Sequence, residues 1–432
     1  MANSGGKRMT AGKILTVDTE AELIDAVAAR FDDTEQETTA GSRIIVGGTD
    51  DVGVAAVAVS RLEKGDQVIL LPDSLNNALD DGLPLAASKA LIIDEEATRR
   101  REGSGSFQGD WNLVCYSSGS TGTPRPIGLR REQLQTTASW YKQVYNLSQD
   151  SLIVSPLPST YNFSFIAGAY TASVVGATYC VVNEISGMID LLTGPPSEYD
   201  RIIGLLNPIL LEELSERCPN VDDRVLMDTG GAPMSRHAVQ WFRENVGDLR
   251  EGYGLTETCS LTHFDTDGSD QSAGTVGTAL PGVTVDIDEG DGKPVVSITA
   301  PNIGVELSEG GRTKSSWLST IETDDLGELD DHGRLRLLGR DADTRINGRW
   351  PKDTLDAIGP ILGPKCAIVR HLSGEKVIVR LWQRVDSSLV DRIRTRIGDE
   401  LSIEPRNIVI ETTGGELLHS YKLPYDSSDN EG

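Results

Sequence analysis

The chain has 432 residues, with 40 basic against 66 acidic side chains and a net charge of −26. At ~150 residues per domain, this allows two or three domains around a large core and excludes a small disulfide scaffold. So acidic a chain repels phosphate backbones and anionic lipid, so nucleic-acid wrapping and membrane adhesion are excluded as first readings; a nucleotide could bind only where Arg, Lys, backbone N–H groups or a metal reverse the local sign.

Hydrophobic content of 38% and charged content of 25% fit a globular chain. No apolar run approaches the ~18 residues needed to span a bilayer. The opening MANSGGKRMTAGKIL lacks the apolar core of a signal peptide, so a cytoplasmic location is expected. Cys115, Cys180, Cys218, Cys259 and Cys366 are scattered, without a CxxC pair, and read as buried reduced thiols rather than zinc ligands.

In chain order, 20–31 has apolar residues at helical spacing, and 53–65 reads as a second helix ending at a glycine. The short aliphatic runs 67–71 and 90–93 suit buried parallel strands. A strand at 112–116 is followed by the Ser/Gly/Thr run SSGSTGTP and an amphipathic stretch at 131–145, giving the order strand, glycine loop, helix. Runs at 152–156, 163–176, 178–182, 224–231 and 235–245 continue the alternation, so the first half is α/β with a largely parallel sheet. After about residue 275 come short strands rich in Gly and Asp, the texture of a smaller β-rich subdomain. The polar stretch 339–350 leads into strand patterns at 366–372, 376–382 and 407–411 and a helix at 387–401, the content of a small α+β unit. The acidic tail DSSDNEG reads as disordered.

The segment YSSGSTGTPRPIGL (116–129) concentrates hydroxyls and glycines after a strand, where several backbone N–H groups and side-chain hydroxyls can converge on one anion, with Arg125 adding a cation. It is not a Walker loop, because GxxxxGK[ST] is absent, and a Ser/Gly/Thr run alone reads more often as a flexible linker; the strand before it and the helix after it favour the anion site.

YSSGSTGTPRP resembles the phosphate loop of the adenylate-forming superfamily, which includes acyl- and aryl-CoA synthetases, peptide-synthetase adenylation domains and luciferase-like enzymes. Four further segments occur in that family's order: MDTGGAPMS (227–235), EGYGLTET (251–258), GTVGTALPGVTVDI (274–287), and TDDLGELDDHGRL (323–335) with GRDADTRINGRW (339–350). The resemblance implies a body at 1–339 carrying the nucleotide and acid sites and a mobile C-terminal lid at 340–432, in a short member of the family.

Residue by residue, it implies phosphate binding by Ser117, Ser118, Gly119, Ser120, Thr121, Gly122 and Arg125, where the family usually carries lysine in place of the arginine. Gly231, Ala232, Pro233, Tyr253 and Gly254 would line the nucleotide pocket, with Tyr253 packed on the adenine. Thr256 would donate to the α-phosphate, Glu257 would hold Mg²⁺, and Asp325 would accept from the ribose hydroxyls. Nearby Asp324 stands where glycine is usual, leaving the register of these acids open. Arg340 matches the hinge arginine, and Ala342 falls where an acid is expected, flanked by Asp341 and Asp343. Lys422, in HSYKLPY, matches the lysine carried into the site, although Tyr421 replaces the expected glycine.

Tyr161, Asn162 and Gly230 are expected at the acid. An amide at Asn162, where amino-acid activators carry aspartate, suits an acid without an α-amino group, as in aryl-acid activators; the alternative is that Asn162 only caps a helix. The implied function is ATP-dependent activation of an aryl or small acyl acid to acyl-AMP, then transfer to coenzyme A or to the phosphopantetheine of an acyl or aryl carrier protein. Transfer to an amine or hydroxyl, and a non-catalytic nucleotide- or carrier-binding relative, are the alternatives. The partners expected are thus a small carboxylic acid and a carrier protein, with no nucleic acid.

Overall fold

The aliphatic runs of the first half form parallel strands, as expected, and they divide between two sheets rather than entering one. A computed structural model describes residues 13–16, 43–47, 51–72, 89–93, 98–101, 110–117, 124–182, 185–217, 220–307 and 319–412. The helix expected at 20–31 and the acidic tail lie outside these residues.

One sheet has eight strands in the order Lys13–Thr16, Thr178–Val181, Ser151–Ser155, Arg201–Leu206, Val225–Thr229, Asp248–Tyr253, His263–Phe264 and Thr278–Ala279. Its first six strands are parallel and its last two antiparallel. The second sheet has seven strands, with Leu113–Ser117, Gln67–Leu71, Arg43–Gly47 and Lys89–Ile93 parallel at its centre. Strands buried on both faces read as continuous Val/Ile/Leu runs rather than alternating ones, so the sequence alone does not divide them between sheets.

Helices Asp51–Glu63 and Arg131–Tyr145 and the π-helix Ser164–Tyr170 pack between the sheets, joining Val54, Ala58, Leu134, Tyr141, Phe165 and Ile166 to one core. The far face of the eight-stranded sheet forms a second core with helices Ile185–Thr193, Pro208–Arg217 and Arg236–Asn245. The π-helix sits where a glycine lets it press on a neighbouring strand: a Cβ on Gly168 would lie 2.4 Å from the Tyr179 ring. Single π-turns of this kind recur at functional sites.

The β-rich texture after residue 275 corresponds to an antiparallel sheet of Thr284–Asp288, Val295–Thr299, Thr320–Leu329 and Leu335–Arg340. Beyond it, Ala367–Leu372, Lys376–Leu381 and Ile408–Thr412 form a three-stranded sheet that shares a core with helix Ser387–Leu401.

Helix Pro351–Leu362, like Ile185–Thr193 and Pro208–Arg217, went unread in the sequence. It starts at a proline in the first turn, a favoured position, but Gly359 and Pro360 interrupt its pattern. The glycine is required by packing: a Cβ there would lie 2.9 Å from Ser235 Oγ, on the loop before helix Arg236–Asn245.

Among the described residues no helix is long and apolar enough to cross a membrane. Cys115, Cys180, Cys259 and Cys366 are buried free thiols, and Cys218 lies outside the description.

Candidate active site

The C-terminal ends of Val225–Thr229 and Asp248–Tyr253 open into a cavity of about 340 Å³. The edge of a parallel sheet at its carboxyl ends is the usual place for a ligand in an α/β fold. Ser117, Arg125, Tyr161, Asn162, Gly230, Gly231, Ala232, Pro233, Tyr253, Gly254, Thr256, Glu257, Asp325 and Arg340 all line it. These residues come from five separate stretches of chain. Ser118, Gly119, Ser120, Thr121 and Gly122 lie outside the described residues, as does Lys422.

The glycine loop differs from the strand–loop–helix order expected. Leu113–Ser117 pairs antiparallel with Arg125–Leu129, with Ser117 opposite Arg125, so the loop joins two strands of a hairpin and the helix follows only at Arg131. The second strand is betrayed by Ile127 and Leu129, which alternate into the core. Ser117 Oγ, at the hairpin mouth, is buried without a hydrogen-bond partner among the described residues.

Arg125 faces carboxylates: one guanidinium nitrogen lies 2.7 Å from Glu257 Oε1 and another 3.3 Å from Glu306 Oε2. Glu257 stands on the single turn Thr256–Thr258. Leu255 N–H, just before it, donates to Thr258 Oγ1 at 2.8 Å, which fixes the turn against the cavity. Gly254 cannot be larger, since a Cβ would lie 2.2 Å from Ser260 O. Gly231 has φ +84, and a Cβ there would come within 3.3 Å of the Tyr161 hydroxyl.

Burial separates the acids that the sequence leaves alike. Asp325 is 6% exposed and accepts from Tyr253 OH at 2.8 Å and from Arg340 at 2.6 Å. Asp324 is solvent-facing and meets Arg340 only at 3.5 Å. At the next bend Asp343 is fully buried, accepting from Arg340 N at 2.8 Å and Arg370 Nε at 2.5 Å, whereas Asp341 is exposed and pairs with Lys293. Of the two acids that flank Ala342, Asp343 is therefore the buried one and Asp341 the exposed one. Burial pushes the acidity of Asp343 down, raising the pKa, and Arg370 opposes that.

Asn162 is 9% exposed, and its Oδ1 has no partner among the described residues, so it accepts no capping N–H. Cys115 and Cys259 are buried, and burial raises both thiols, Cys259 to about 12, which disfavours the thiolate at either.

Three polar residues here were not read from the sequence. Lys352, on helix Pro351–Leu362, is buried at the cavity wall and donates to Met234 O at 2.8 Å and Asp356 Oδ1 at 2.7 Å. Glu251, at the end of its strand, is raised to about 7 by burial, with the nearby Lys352 pulling the other way. Asp228, in Val225–Thr229, is likewise raised to about 7 by burial; its Oδ2 accepts from Tyr145 OH. A Pro-initiated helix could have flagged Lys352. Nothing in a strand pattern distinguishes a buried Asp from an outward one before the fold is known.

Among the described residues no group of three or more His, Cys, Asp or Glu side chains could hold a metal. Glu257 alone still fits Mg²⁺, which is usually bound through one or two carboxylates plus substrate phosphates.

The AMP-binding enzyme family model matches residues 38–302. Among curated proteins, the chain is 26% identical over 255 residues to a 2-succinylbenzoate–CoA ligase of Bacillus velezensis, covering 55% of this chain and 50% of that one. It is 23% identical over 356 residues to a long-chain-fatty-acid–CoA ligase of Mycobacterium tuberculosis, covering 73% and 63%. The chain spans a third to a half of the length of the first curated relatives it matches. The solved structure of the Bacillus subtilis o-succinylbenzoate CoA synthetase with its acyl-adenylate superposes with a TM-score of 0.73 at 17% identity, over 97% of this chain and 95% of that one. ATP-bound MatB of Rhodopseudomonas palustris gives 0.69 at 16% identity, over 98% of each. The match to the family model covers more than half of the chain, and on it this protein belongs to the AMP-binding enzyme family.

Proposed function

We propose that the protein activates a carboxylic acid with ATP, forming acyl-AMP and pyrophosphate, and passes the acyl group to the thiol of coenzyme A or of a carrier's phosphopantetheine. The observation that carries this reading is the convergence of Tyr253, Thr256, Glu257, Asp325 and Arg340 with the Gly230–Pro233 loop around one cavity. The names of the relatives, which are acid–CoA ligases, support it.

In the first step the acid's carboxylate oxygen attacks the α-phosphorus; that P–O bond forms as the bond to pyrophosphate breaks. In the second a thiolate attacks the acyl carbonyl and AMP leaves. No side-chain nucleophile is needed, so the residues act by position and electrostatics. Asp325, aligned by Tyr253 and Arg340, presents carboxylate oxygens to the ribose hydroxyls. Thr256 and the hydroxyls of the 117–125 hairpin donate to phosphate oxygens, and Arg125 and Lys422 add positive charge. Glu257 would hold Mg²⁺, which would offset charge on the phosphates.

Tyr161, Asn162 and Gly230 line the acid's side of the cavity. Residues 340–432 serve as the lid, turning about the Arg340–Asp343 bend between the two steps, carrying Lys422 out and admitting the thiol. The test is ATP–pyrophosphate exchange over a broad panel of aryl and acyl acids. Exchange that depends on the acid supplied is the expected result, and no exchange with any acid refutes the proposal.

A further inference from the structure

Resting on the acid-activation reading, we propose that Asn302 is a positioning residue for the metal: it holds the turn Thr256–Thr258 so that Glu257 stays in register with the phosphate hairpin. Asn302 is fully buried behind the cavity rather than on its wall. Its Nδ2 donates to Thr258 O at 2.6 Å and to Leu261 O at 2.8 Å, with Thr137 Oγ1 of helix Arg131–Tyr145 at 3.1 Å.

The two carbonyls bracket a bend. Cys259 and Ser260, between them, have φ of +52 and +80. Positive φ is costly for a residue with a Cβ, and persists where the surrounding structure over-determines it. One amide that reaches both ends of the bend supplies that constraint. From the other side, Gly304 N–H donates to Glu257 O at 2.7 Å. The stretch Asn302–Gly304 therefore holds Glu257 by its own carbonyl and by that of the next residue.

The same stretch runs on into the phosphate hairpin. Val305–Glu306 pairs antiparallel with Gly128 and Ile127, and Glu306 Oε2 lies 3.3 Å from the Arg125 guanidinium. One short segment thus ties the turn that carries Glu257 to the strand that carries Arg125. The amide is kept there at a cost, because Asn302 Oδ1 is buried with no partner among the described residues, and a buried acceptor left unmade is destabilising. What Asn302 contributes is its two donor hydrogens.

Calorimetric titration of ATP into the wild type, Asn302→Ala and Asn302→Ser, with and without Mg²⁺, tests this, alongside pyrophosphate exchange over a range of Mg²⁺ concentrations. Removing a group that orients a metal ligand typically costs about 10- to 100-fold in metal affinity or activity. Asn302→Ala should therefore cut the gain in ATP affinity brought by Mg²⁺ by about 10-fold or more, and raise the Mg²⁺ concentration for half-maximal exchange by a similar factor. AMP affinity without metal and KM for the acid should stay within about twofold, since Tyr253 and Arg340 hold Asp325 independently of Asn302. Asn302→Ser retains one donor and should fall between the wild type and Asn302→Ala. Thermal unfolding establishes that the variants fold, and Asn302→Ser carries the test if Asn302→Ala does not. A metal-dependent gain that is unchanged in the variant, or absent from the wild type, overturns the role of Asn302. So does a parallel loss of AMP and acid affinity, which would mark Asn302 as holding the fold alone; acid activation then stands. Absence of exchange with every acid in the wild type overturns acid activation, and the ATP titration still decides the role of Asn302.

Discussion

Asp228 makes a prediction about stability that needs no substrate. Burial raises its pKa from the ordinary 3.8 to about 7, and the bond from Tyr145 OH only partly opposes this. A carboxyl whose folded pKa is raised keeps its proton longer in the native state than in the unfolded chain. Its contribution is therefore whole below pH ~4 and is lost as pH rises through about 7. The interval of about 3 pH units is worth about 4 kcal/mol at ~1.4 kcal/mol per unit, a ceiling because relaxation around a buried charge shrinks it. Asn keeps an acceptor for Tyr145 and cannot ionise. Asp228→Asn should therefore match the wild type near pH 4 and exceed it by up to about 4 kcal/mol at pH 8. Glu251, also raised by burial, and His263 and His371, lowered by burial to about 4, act on both proteins and cancel in the difference. Urea unfolding of the pair at pH 4, 5, 6, 7 and 8 measures it. A difference that stays constant across that range would refute a buried, proton-holding carboxyl.

Glu257→Gln should cut pyrophosphate exchange on the order of 100-fold or more while leaving the fold intact, measured against Mg²⁺ concentration. Asp325→Ala strips the carboxylate that Tyr253 and Arg340 hold, and AMP affinity by calorimetry should fall roughly 10- to 100-fold, the value of a hydrogen bond to a charged group. Lys352→Met leaves Met234 O unpaired and removes the cation that most offsets Glu251, so unfolding free energy should drop by about 3 kcal/mol in denaturant titration. Lys422→Ala should collapse adenylate formation with an unchanged thermal midpoint; an unchanged rate would send that role to another residue.

Much of this was legible because motifs and strands write themselves locally. The runs at 67–71, 152–156, 178–182 and 224–231 announce buried strands through closely spaced apolar residues, and the glycine of YGLTE is demanded because a Cβ there would lie 2.2 Å from Ser260 O. What stayed hidden depends on partners distant in the chain. The division into two sheets is decided by which strands neighbour each other, a choice that periodicity does not encode. The hairpin at 113–129 was masked because Pro126 and Gly128 make a poor strand signature, although Ile127 and Leu129 are buried. The helix at Pro351–Leu362 was masked by Gly359, present for the sake of Ser235 over a hundred residues earlier. Asp324, Asp325, Asp341 and Asp343 are chemically alike in sequence; only burial separates the two that accept buried hydrogen bonds from the two at the surface.

The excess of acid bears directly on the site. A chain of −26 charge was expected to reverse its sign locally, yet the cations here already face carboxylates. Arg125 is shared by Glu257 and Glu306, and Arg340 by Asp325 and Asp324. Glu257 and Asp325 are the same two groups proposed to bind metal and ribose. A phosphate approaching Arg125 therefore competes with Glu257, which repels it. A divalent cation on Glu257 weakens both obstacles together, since it neutralises the carboxylate and loosens its hold on the guanidinium. Metal and triphosphate should therefore bind with positive coupling, each strengthening the other by the same factor. In Glu257→Gln the neutral amide no longer repels phosphate or pairs as strongly with Arg125, so ATP measured without metal should bind at least as tightly as to the wild type, while the gain on adding Mg²⁺ disappears. Calorimetric titration of ATP into both proteins, with and without Mg²⁺, decides it. An undiminished metal-dependent gain in the variant would place the metal on other groups and leave Glu257 as only the partner of Arg125.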